Sequence, residues 1–340
     1  MSVKPTVLIV MATYQGERFV QEQLESFAAQ DHKAWELLVA DDGSKDHTLK
    51  RIASIMDKPG LRSHRWSWIR GPGKGAAVNF MAAMLKAQQA IEEGHTSASY
   101  VALSDQDDVW LPTKLSAGVQ DLRLVDSDQA ALWCSSVYFW KDHVIQGPKH
   151  RSISPTRALG FDNALVQNMV RGNTVMLNRS ALDLLVKTQS DLPIVMHDWW
   201  LYLLVSACGC KIIYSDEPSL LYRQHGNNVI GAASSWSERF ERFRFMLQGG
   251  FAPWNRIHIE RLKDIHRRHP ELLQAKARQQ LAIFERMLGA NNALARFRGL
   301  HEGGFIVRPL QKTSRFGWRL VLVNFSFDRT DLNSEQYHPH

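Results

Sequence analysis

Residues 7–16 read Val7-Leu8-Ile9-Val10-Met11-Ala12-Thr13-Tyr14-Gln15-Gly16, an apolar run that ends in polar residues and a glycine. The run 7–10 is fully apolar and mostly β-branched, which predicts a strand buried on both faces of a sheet. Residues 17–29 follow with apolar side chains at helical spacing, and 36–40 is a second apolar run. Strand, helix and strand in this order predict an α/β fold.

The alternation of strands and helices continues along the chain. Further strands are predicted at 66–69, 100–103, 131–140, 173–177 and 211–214. Further helices are predicted at 46–56, 76–91, 181–187 and 199–207. The pattern predicts a mostly parallel central sheet with helices on both faces, and such sheets bind ligands beyond the carboxyl ends of their strands.

The basic residues are concentrated in the last third of the chain. The whole chain carries 41 Lys and Arg against 34 Asp and Glu, a formal net charge of +7. Residues 236–340 hold 18 of the basic and 10 of the acidic residues, a net of +8, so residues 1–235 are close to neutral. We therefore predict a nearly neutral domain over 1–235 and a basic, aromatic-rich extension over 236–340, with helices at 236–247, 257–266 and 272–288.

The extension mixes arginines with aromatic residues, a pattern typical of helices that lie on an anionic membrane surface. A packing arm or an oligomer contact with a solvated basic face explains the same pattern, so peripheral membrane contact and oligomerisation both stay open. Nucleic-acid binding is not expected, because no recognition motif accompanies the charge.

Cysteine usage and hydropathy indicate the compartment. Cys134, Cys208 and Cys210 are odd in number and lack the spacing of a zinc site, which predicts buried free thiols in a reducing environment. The first residues resemble no secretory signal, and the longest apolar stretch, 199–210, is short and interrupted by polar residues. We expect a cytoplasmic protein, with peripheral association at the inner face of the cell membrane left open.

Polar, small and acidic residues follow three of the predicted strands. They are Thr13-Tyr14-Gln15-Gly16 after the first strand, Asp41-Asp42-Gly43-Ser44 after the second and Ser104-Asp105-Gln106-Asp107-Asp108 after the fourth. One such cluster alone is often a solvated loop or a helix cap. Because the carboxyl ends of parallel strands meet at one edge of a sheet, three clusters together predict a polar crevice.

Asp105 and Asp107 stand at alternate positions in this crevice. Such a pair suits a divalent cation with oxygen ligands, Mn²⁺ or Mg²⁺, that neutralises a diphosphate leaving group. The chain has no G-x-x-x-x-G-K-[ST] loop and no G-x-G-x-x-G after its first strand, which argues against a P-loop or a dinucleotide site. The glycine-rich segment 71–75 is either a loop where a nucleotide approaches the backbone or a simple turn.

Taken in order, these motifs resemble those of the family 2 glycosyltransferases, which have the nucleotide-sugar-binding GT-A fold. The resemblance covers roughly residues 5–230 and is strongest to bacterial rhamnosyltransferase-like members that build surface polysaccharides. It rests on five spaced elements, namely 7–16, 38–44 (L-V-A-D-D-G-S), 71–79, 104–110 (S-D-Q-D-D-V-W), and 197–200 (H-D-W-W) paired with 222–228 (Y-R-Q-H-G-N-N).

The resemblance implies a donor-binding role for residues at the strand ends. Thr13 and Tyr14 match positions that line the nucleotide, and Asp42 matches the aspartate that bonds the base or ribose. Asn79 matches a residue near the same nucleotide. Asp105 and Asp107 match the D-x-D pair, with Asp107 the more direct metal ligand and Asp105 also facing the nucleotide. The register of adjacent aspartates leaves open whether Asp108 shares the metal.

The second half of the motif set implies the reaction chemistry. Asp198 matches the carboxylate that serves as catalytic base; a helix cap is the alternative. His197 replaces the Glu of most members but fits the rhamnosyltransferase-like branch. Arg223 and His225 match a segment that folds over the diphosphate, and His225 either completes the metal shell or bonds its own loop. Trp199 either contacts the acceptor sugar or belongs to the core, and the same two alternatives apply to Trp200.

These matches imply an inverting, metal-dependent glycosyltransferase. Its expected donor is a dTDP- or UDP-linked sugar, with dTDP-L-rhamnose the leading case, and its expected acceptor is a glycan or a lipid-diphosphate-linked glycan, as in O-antigen synthesis. Two alternatives are a nucleotidyltransferase acting on sugar phosphates and a non-catalytic sugar-nucleotide-binding or membrane-scaffold protein. The first alternative requires a basic triphosphate loop after the first strand, which 13–16 does not supply.

Overall fold

The computed structural model describes residues 4–141, 150–224, 252–290, 298–299 and 301–305. Its strands are β1 (Thr6–Thr13), β2 (Trp35–Asp41), β3 (Trp66–Arg70), β4 (Ala98–Ser104), β5 (Val109–Trp110), β6 (Ala131–Ser135), β7 (Tyr138–Lys141), β8 (His150–Arg151), β9 (Met176–Asn178), β10 (Lys211–Ser215) and β11 (Leu220–Gln224). Its helices are α1 (Val20–Ala28), α2 (Thr48–Met56), α3 (Ala76–Glu92), α4 (Lys114–Leu122), α5 (Phe161–Ala164), α6 (Arg179–Lys187), α7 (His197–Ala207), α8 (Ala252–Arg268) and α9 (Ala275–Gly289). A 3-10 turn, Gly172–Thr174, precedes β9.

Seven strands form the main sheet, in the order β10-β6-β9-β4-β1-β2-β3. Strands β1 to β4 run parallel to one another, as do β6 and β10, whereas β9 runs antiparallel to both β4 and β6. The predicted α/β fold with a mostly parallel central sheet is confirmed.

Strand β1 is buried on both of its faces. Val7, Ile9 and Met11 pack with α1, α2 and α4 in one apolar cluster, while Leu8 and Val10 pack with α3, α6 and α7 in another. Because successive side chains of a strand point to opposite faces, a strand between two helical layers requires an unbroken apolar run. The sequence of β1 meets that requirement.

The prediction of one strand over 131–140 is wrong. Strand β6 ends at Ser135, and the chain then enters a second sheet of order β5-β11-β7-β8. At the break the Ser136 N–H donates to the carbonyl of Ser215 at 3.0 Å, and the Ser135 hydroxyl donates to that of Ser219 at 2.6 Å. Serine side chains compete with the strand ladder in this way, but apolar residues continue on both sides and conceal the break.

Other elements also differ from the prediction, among them β9 and α4. Asn173 and Thr174 belong to the 3-10 turn, so the strand predicted at 173–177 begins only at Met176. Helix α4 was not predicted, because Gly118 at its centre weakens the helical signal. A Cβ atom at Gly118 would lie 2.2 Å from Met176 Sδ, so the glycine allows α4 to approach β9 closely.

Helices α8 and α9 bury their apolar faces against the rest of the chain. Leu262 of α8 and Phe284 of α9 are at most 1% exposed and belong to the apolar cluster that contains α7. Arg261 is also buried, with its guanidinium 4.3 Å from the Trp200 ring centroid. The helices predicted at 257–266 and 272–288 are confirmed with shifted ends. The helix predicted at 236–247 and the boundary between 235 and 236 lie outside the described residues.

Two further expectations concern thiols and membrane spans. Cys134, Cys208 and Cys210 are free, and burial raises the pKa of the Cys134 thiol to about 12. Within the part of the chain that the structure describes, no helix is both long and apolar enough to cross a bilayer.

His258 on α8 makes stability depend on pH. Its side chain is 2% exposed, its ring lies 4.7 Å from that of Trp199, and its Nε2 has no hydrogen-bond partner among the described residues. Burial, together with the nearby Arg261 cation, lowers the pKa of His258 from 6.5 to about 3. Below pH 6.5 the unfolded chain therefore binds a proton that the folded chain does not, and the free energy of unfolding falls.

We expect the variant His258→Gln to lose this part of the pH dependence. Between pH 7 and pH 5 the free energy of unfolding of the wild type should fall by up to about 2 kcal/mol more than that of the variant. Urea unfolding of both proteins at the two pH values measures the difference. An equal fall of the free energy of unfolding in the two proteins would contradict the assignment of this pH dependence to His258.

Candidate active site

The carboxyl ends of β1 and β2 form one edge of the crevice. Thr13 pairs with Asp41 in the register of the two strands, and the Thr13 hydroxyl donates to Asp41 Oδ1 at 2.9 Å. The Asp41 carboxylate also accepts the Ser44 N–H at 2.9 Å and the Ser44 hydroxyl at 2.6 Å. Asp41 therefore shapes the turn after β2, and Thr13 supports it with a side chain that is only 2% exposed.

Asp42 binds the glycine-rich loop instead. Its Oδ1 accepts the Gly73 N–H at 2.7 Å and its Oδ2 accepts the Gly75 N–H at 2.8 Å. Gly73 and Gly75 have φ of 69° and 86°, the left-handed region that favours glycine. The carboxylate thus fixes the loop that leads into α3.

Asn79 lies beneath this loop. It is 1% exposed, its Nδ2 donates to the carbonyl of Ala40 at 2.8 Å, and its Oδ1 has no hydrogen-bond partner among the described residues. A Cβ atom at Gly71 would lie 2.3 Å from Asn79 Oδ1 and 2.7 Å from Asp42 Oδ1. The absence of a side chain at Gly71 therefore keeps Asn79 and Asp42 together at the crevice.

Gln106 joins the loop after β4 to the loop after β1. Its Oε1 accepts the Tyr14 N–H and its Nε2 donates to the Tyr14 carbonyl, both at 2.9 Å. The Tyr14 side chain is left 54% exposed at the rim of the crevice. Gln106 was not among the predicted site residues, since a glutamine between aspartates carries no recognisable motif of its own.

Asp105, Asp107 and Asp108 form a cluster that we call the acidic trio. Each contributes a carboxylate oxygen, and these oxygens lie within 4.8 Å of one another. Burial, and then the charges of Asp107 and Asp198, raise the pKa of Asp105 to about 7. Burial and the other two carboxylates raise the pKa of Asp108 well above its usual range. Three crowded carboxylates destabilise one another's charge unless a cation lies among them.

Within the trio, Asp108 already has protein partners. Its Oδ2 accepts from Asn173 Nδ2 at 2.6 Å, and its Oδ1 accepts from the Arg223 backbone N–H at 3.2 Å. The Lys114 amine donates to the Asn173 carbonyl and lies 3.4 Å from the Trp110 ring centroid. Burial lowers the pKa of Lys114 well below its usual range, while Asp108 and Asp105 oppose that shift.

Asp198 stands in the first turn of α7. The helix-capping position is Met196, so Asp198 is not the cap that was left open as an alternative. Its Oδ2 accepts the Gly172 N–H at 3.1 Å, and its Oδ1 accepts the Trp199 N–H at 2.7 Å. Gly172 and Asn173 are consecutive residues of the 3-10 turn, and Asn173 donates to Asp108, so this turn joins Asp198 to the trio.

His197 supports the start of α7. Its ring stacks on Phe80 of α3 at 4.0 Å with an interplanar angle of 24°. Burial lowers the pKa of His197, and the charge of Asp198 opposes that shift. A neutral aromatic ring packed on Phe80 therefore takes the place of the Glu that most members of the resembled family carry.

Trp199 and Trp200 belong to the core. Trp199 is 5% exposed, and its indole N–H donates to the Ala164 carbonyl at 2.7 Å. Trp200 is 1% exposed, and its ring lies against the Arg261 guanidinium. Stacking on an acceptor sugar is not available to Trp199 in this structure, because α5 and α8 cover its ring. Of the two roles that the sequence left open, packing is the one observed.

Arg223 links three elements around the trio. It is 2% exposed, its Nε donates to the Asp107 carbonyl at 2.7 Å, and its guanidinium pairs with Glu22 of α1. The guanidinium carbon lies 4.2 Å from the Trp140 ring centroid. Arg223 thus holds the loop of the trio in place, and its contact with a diphosphate stays a prediction. His225 lies outside the described residues.

The donor set of the trio fits a hard divalent cation. Its carboxylate oxygens are the ligands that Mg²⁺ and Mn²⁺ prefer. The family model described as glycosyl transferase family 2 matches residues 8–185, which include the crevice up to the 3-10 turn. The chain is a family 2 glycosyltransferase.

Two curated relatives of this glycosyltransferase are enzymes of the same kind. The dTDP-rhamnosyl transferase RfbG of Shigella flexneri is 26% identical over 238 residues, which are 68% of this chain and 77% of that protein. The UDP-Glc:alpha-D-GlcNAc-diphosphoundecaprenol beta-1,3-glucosyltransferase WfaP of Escherichia coli is 26% identical over 251 residues, 74% and 89% of the two chains. Among solved structures, the mannosyltransferase PcManGT from Pyrobaculum calidifontis has a TM-score of 0.47 and 15% identity, covering 89% of this chain and 85% of that one.

Proposed function

We propose that this glycosyltransferase moves L-rhamnose from dTDP-rhamnose, with inversion and with Mn²⁺ or Mg²⁺ as cofactor, to a hydroxyl of a cell-surface polysaccharide or lipid-linked glycan. The observation that carries the proposal is the acidic trio with Asp198 on the same crevice. The rhamnosyl donor is supported by the similarity to RfbG. The lipid-linked acceptor is supported by the similarity to WfaP.

The nucleoside part of the donor would bind at the ends of β1 and β2. The exposed Tyr14 ring offers a face for the base, and Asp42 and Asn79 lie together at the glycine-rich loop. A carboxylate can accept more than the one hydrogen bond per oxygen that the loop supplies, so Asp42 retains capacity for a base or ribose N–H or O–H. Thr13 supports this edge through Asp41.

The diphosphate would lie at the trio. Asp107 and Asp105 are the proposed metal ligands, because the Asp108 oxygens accept hydrogen bonds from Asn173 and Arg223. A bound divalent cation would neutralise the charge that develops on the departing diphosphate. The buried Lys114 interacts with the charges of Asp108 and Asp105. Arg223 and His225 are proposed to close this end of the crevice over the diphosphate.

Asp198 is the proposed catalytic base. It would accept the proton of the acceptor hydroxyl as that oxygen attacks the anomeric carbon from the face opposite the diphosphate. The Gly172 N–H holds one carboxylate oxygen and fixes the direction of the group. The buried start of α7, stacked through His197 on Phe80, gives the base a rigid support.

The variant Gly71→Ala tests the nucleoside site. A methyl group there would push against Asn79 and Asp42, so we expect the affinity for dTDP to fall by about tenfold, which corresponds to about 1.4 kcal/mol. Calorimetric titration with dTDP measures it. Gly289→Ala is the matched control, because nothing lies within 4 Å of a Cβ atom at Gly289. Equal affinity in the wild type and Gly71→Ala would remove Asp42 and Asn79 from the nucleoside site.

A binding and product screen tests the proposed function as a whole. The full chain is titrated with dTDP-rhamnose, UDP-glucose and GDP-mannose, each with and without Mn²⁺. The proposal expects Mn²⁺-dependent binding of dTDP-rhamnose and release of dTDP on transfer. Preference for UDP-glucose would reassign the donor. Release of pyrophosphate would support a nucleotidyltransferase, and binding without turnover on any acceptor would support a non-catalytic protein.

A further inference from the structure

Arg171, a cation that forms no ion pair with any described residue, directly precedes the glycine that bonds the proposed base. It is partly buried and directly precedes the 3-10 turn. Its guanidinium carbon lies 5.6 Å from the Phe139 ring centroid. Among the described residues its guanidinium forms no ion pair and donates no hydrogen bond. Removing a charge from water without a partner costs free energy, so such a group is retained more readily where it meets an anion.

The position of Arg171 places that anion on the acceptor side of the crevice. The next residue, Gly172, donates its N–H to Asp198, so Arg171 and the proposed base are neighbours. Burial lowers the pKa of Arg171, and the charge of Asp198 opposes that shift. The charges acting on Asp105 are those of Asp107, Asp198 and Lys114. Asn173, two residues after Arg171, donates to Asp108 at 2.6 Å, so the 3-10 turn links Arg171 and Asp198 to the trio.

The N–H groups of the Arg171 guanidinium are suited to bind an anion. The guanidinium carbon lies over the Phe139 ring, and its N–H groups donate to no described residue, whereas phosphates and carboxylates bind such groups, often through two parallel hydrogen bonds. Phe139 is itself fixed by strand pairing with Tyr222, whose ring centroid is 6.0 Å away. The second sheet thus holds the Phe139 ring against the Arg171 guanidinium.

We propose that Arg171 binds an anionic group of the acceptor and so selects acceptors whose negative charge lies near the hydroxyl presented to Asp198. The inference rests on the proposed function, because the trio accounts for the donor diphosphate and Asp198 for the acceptor hydroxyl. A phosphate and a carboxylate share the required chemistry. A lipid-linked acceptor supplies the first through its diphosphate, and an acidic sugar unit supplies the second.

The test measures probe binding to the full chain saturated with dTDP and Mn²⁺, which occupies the donor side. The probes are geranyl diphosphate, methyl glucuronide, and the uncharged geraniol and methyl glucoside. We expect one charged probe to bind and its uncharged partner not to bind. Geranyl diphosphate would identify the lipid diphosphate as the source of the anion, and the glucuronide would identify an acidic sugar.

Variants at position 171 connect this binding to the guanidinium. Arg171→Met is expected to lower the affinity for the charged probe by at least tenfold. Arg171→Lys should lower it by less, because the ammonium keeps the charge but not the two parallel donors. Arg179→Met, at an exposed position of α6, is the matched control and should bind as the wild type does. Thermal unfolding of each variant shows that the fold is intact, and Arg171→Gln replaces the methionine variant if that one unfolds.

Two results would overturn the inference. In the first, the charged and uncharged probes bind to the wild type with equal affinity. In the second, Arg171→Met binds the charged probe as tightly as the wild type does. Titration with dTDP-rhamnose and Mn²⁺ separates these failures from failure of the proposed function. If the donor binds equally to the wild type and Arg171→Met, only the role of Arg171 is lost; if the wild type binds no nucleotide sugar, the proposed function is lost as well.

Discussion

The variant Asp198→Asn is expected to lose sugar transfer by about 10³-fold while binding the donor as the wild type does. The amide has the size of the carboxylate, and its oxygen still accepts the Gly172 N–H; only the bond from the Trp199 N–H is lost, because the amide nitrogen cannot accept it. The amide cannot take the proton of the acceptor hydroxyl, however, and a positioned base contributes between about 10² and 10⁴ in rate. Transfer is measured with radiolabelled donor, and donor binding by calorimetry.

A nearby exposed aspartate provides the control for Asp198→Asn. Asp191→Asn changes an exposed aspartate shortly before the same helix and should transfer at the wild-type rate. Asp198→Asn that transfers within tenfold of the wild type would show that another group accepts the proton. A variant that loses donor binding together with transfer would place Asp198 at the donor rather than at the acceptor.

The second large effect is expected for Asp107→Asn. This change removes one negative charge from the trio and one anionic oxygen ligand from the proposed metal site. In the presence of Mn²⁺ its affinity for dTDP-rhamnose should fall by about tenfold or more, to the level that the wild type shows with EDTA. Transfer should fall by at least about 10²-fold, because the leaving diphosphate loses its electrostatic stabilisation.

Titration of donor with and without Mn²⁺ measures this effect. Asp128→Asn, at an exposed position after α4, is the control and should keep the full response to Mn²⁺. If Asp107→Asn retains that response, the metal either lies elsewhere or is held by Asp105 and Asp108 alone. A wild type that binds and transfers equally well in EDTA would contradict metal dependence altogether.

The strand ends and their polar residues were predictable because both signals are local. Unbroken apolar runs marked β1, β2 and β4, and the residues directly after each run line the crevice in the structure. Parallel pairing of β1 with β2 and with β4 then brings these ends together, as the alternation of strands and helices predicts. The resemblance to the family added which aspartates to examine.

The roles of neighbouring aspartates were not predictable in the same way. Asp41 bonds the turn that follows it, whereas Asp42 bonds Gly73 and Gly75, more than thirty residues later. Likewise Asp108 depends on Asn173, which is 65 residues away in sequence. Side-chain direction in an irregular loop depends on such distant partners, and the local pattern does not contain them.

Burial of polar and aromatic groups was the other quantity that the sequence pattern did not show. Lys114 is fully buried under the trio, although its helix could not be recognised from its spacing. Helix α7 is apolar on every side, so its pattern could not distinguish a tryptophan in the crevice from one in the core. Helix α8 covers Trp199, and that packing belongs to a part of the chain where the family motifs are absent.

The most direct test of the account is the position of Mn²⁺ and dTDP in crystals of the full chain, located by the anomalous scattering of manganese. One strong peak is expected between Asp105 and Asp107, with the diphosphate of dTDP on the same ion and the thymine base beside Tyr14 and Asp42. A manganese peak away from the trio, or dTDP bound at another edge of the sheet, would contradict it.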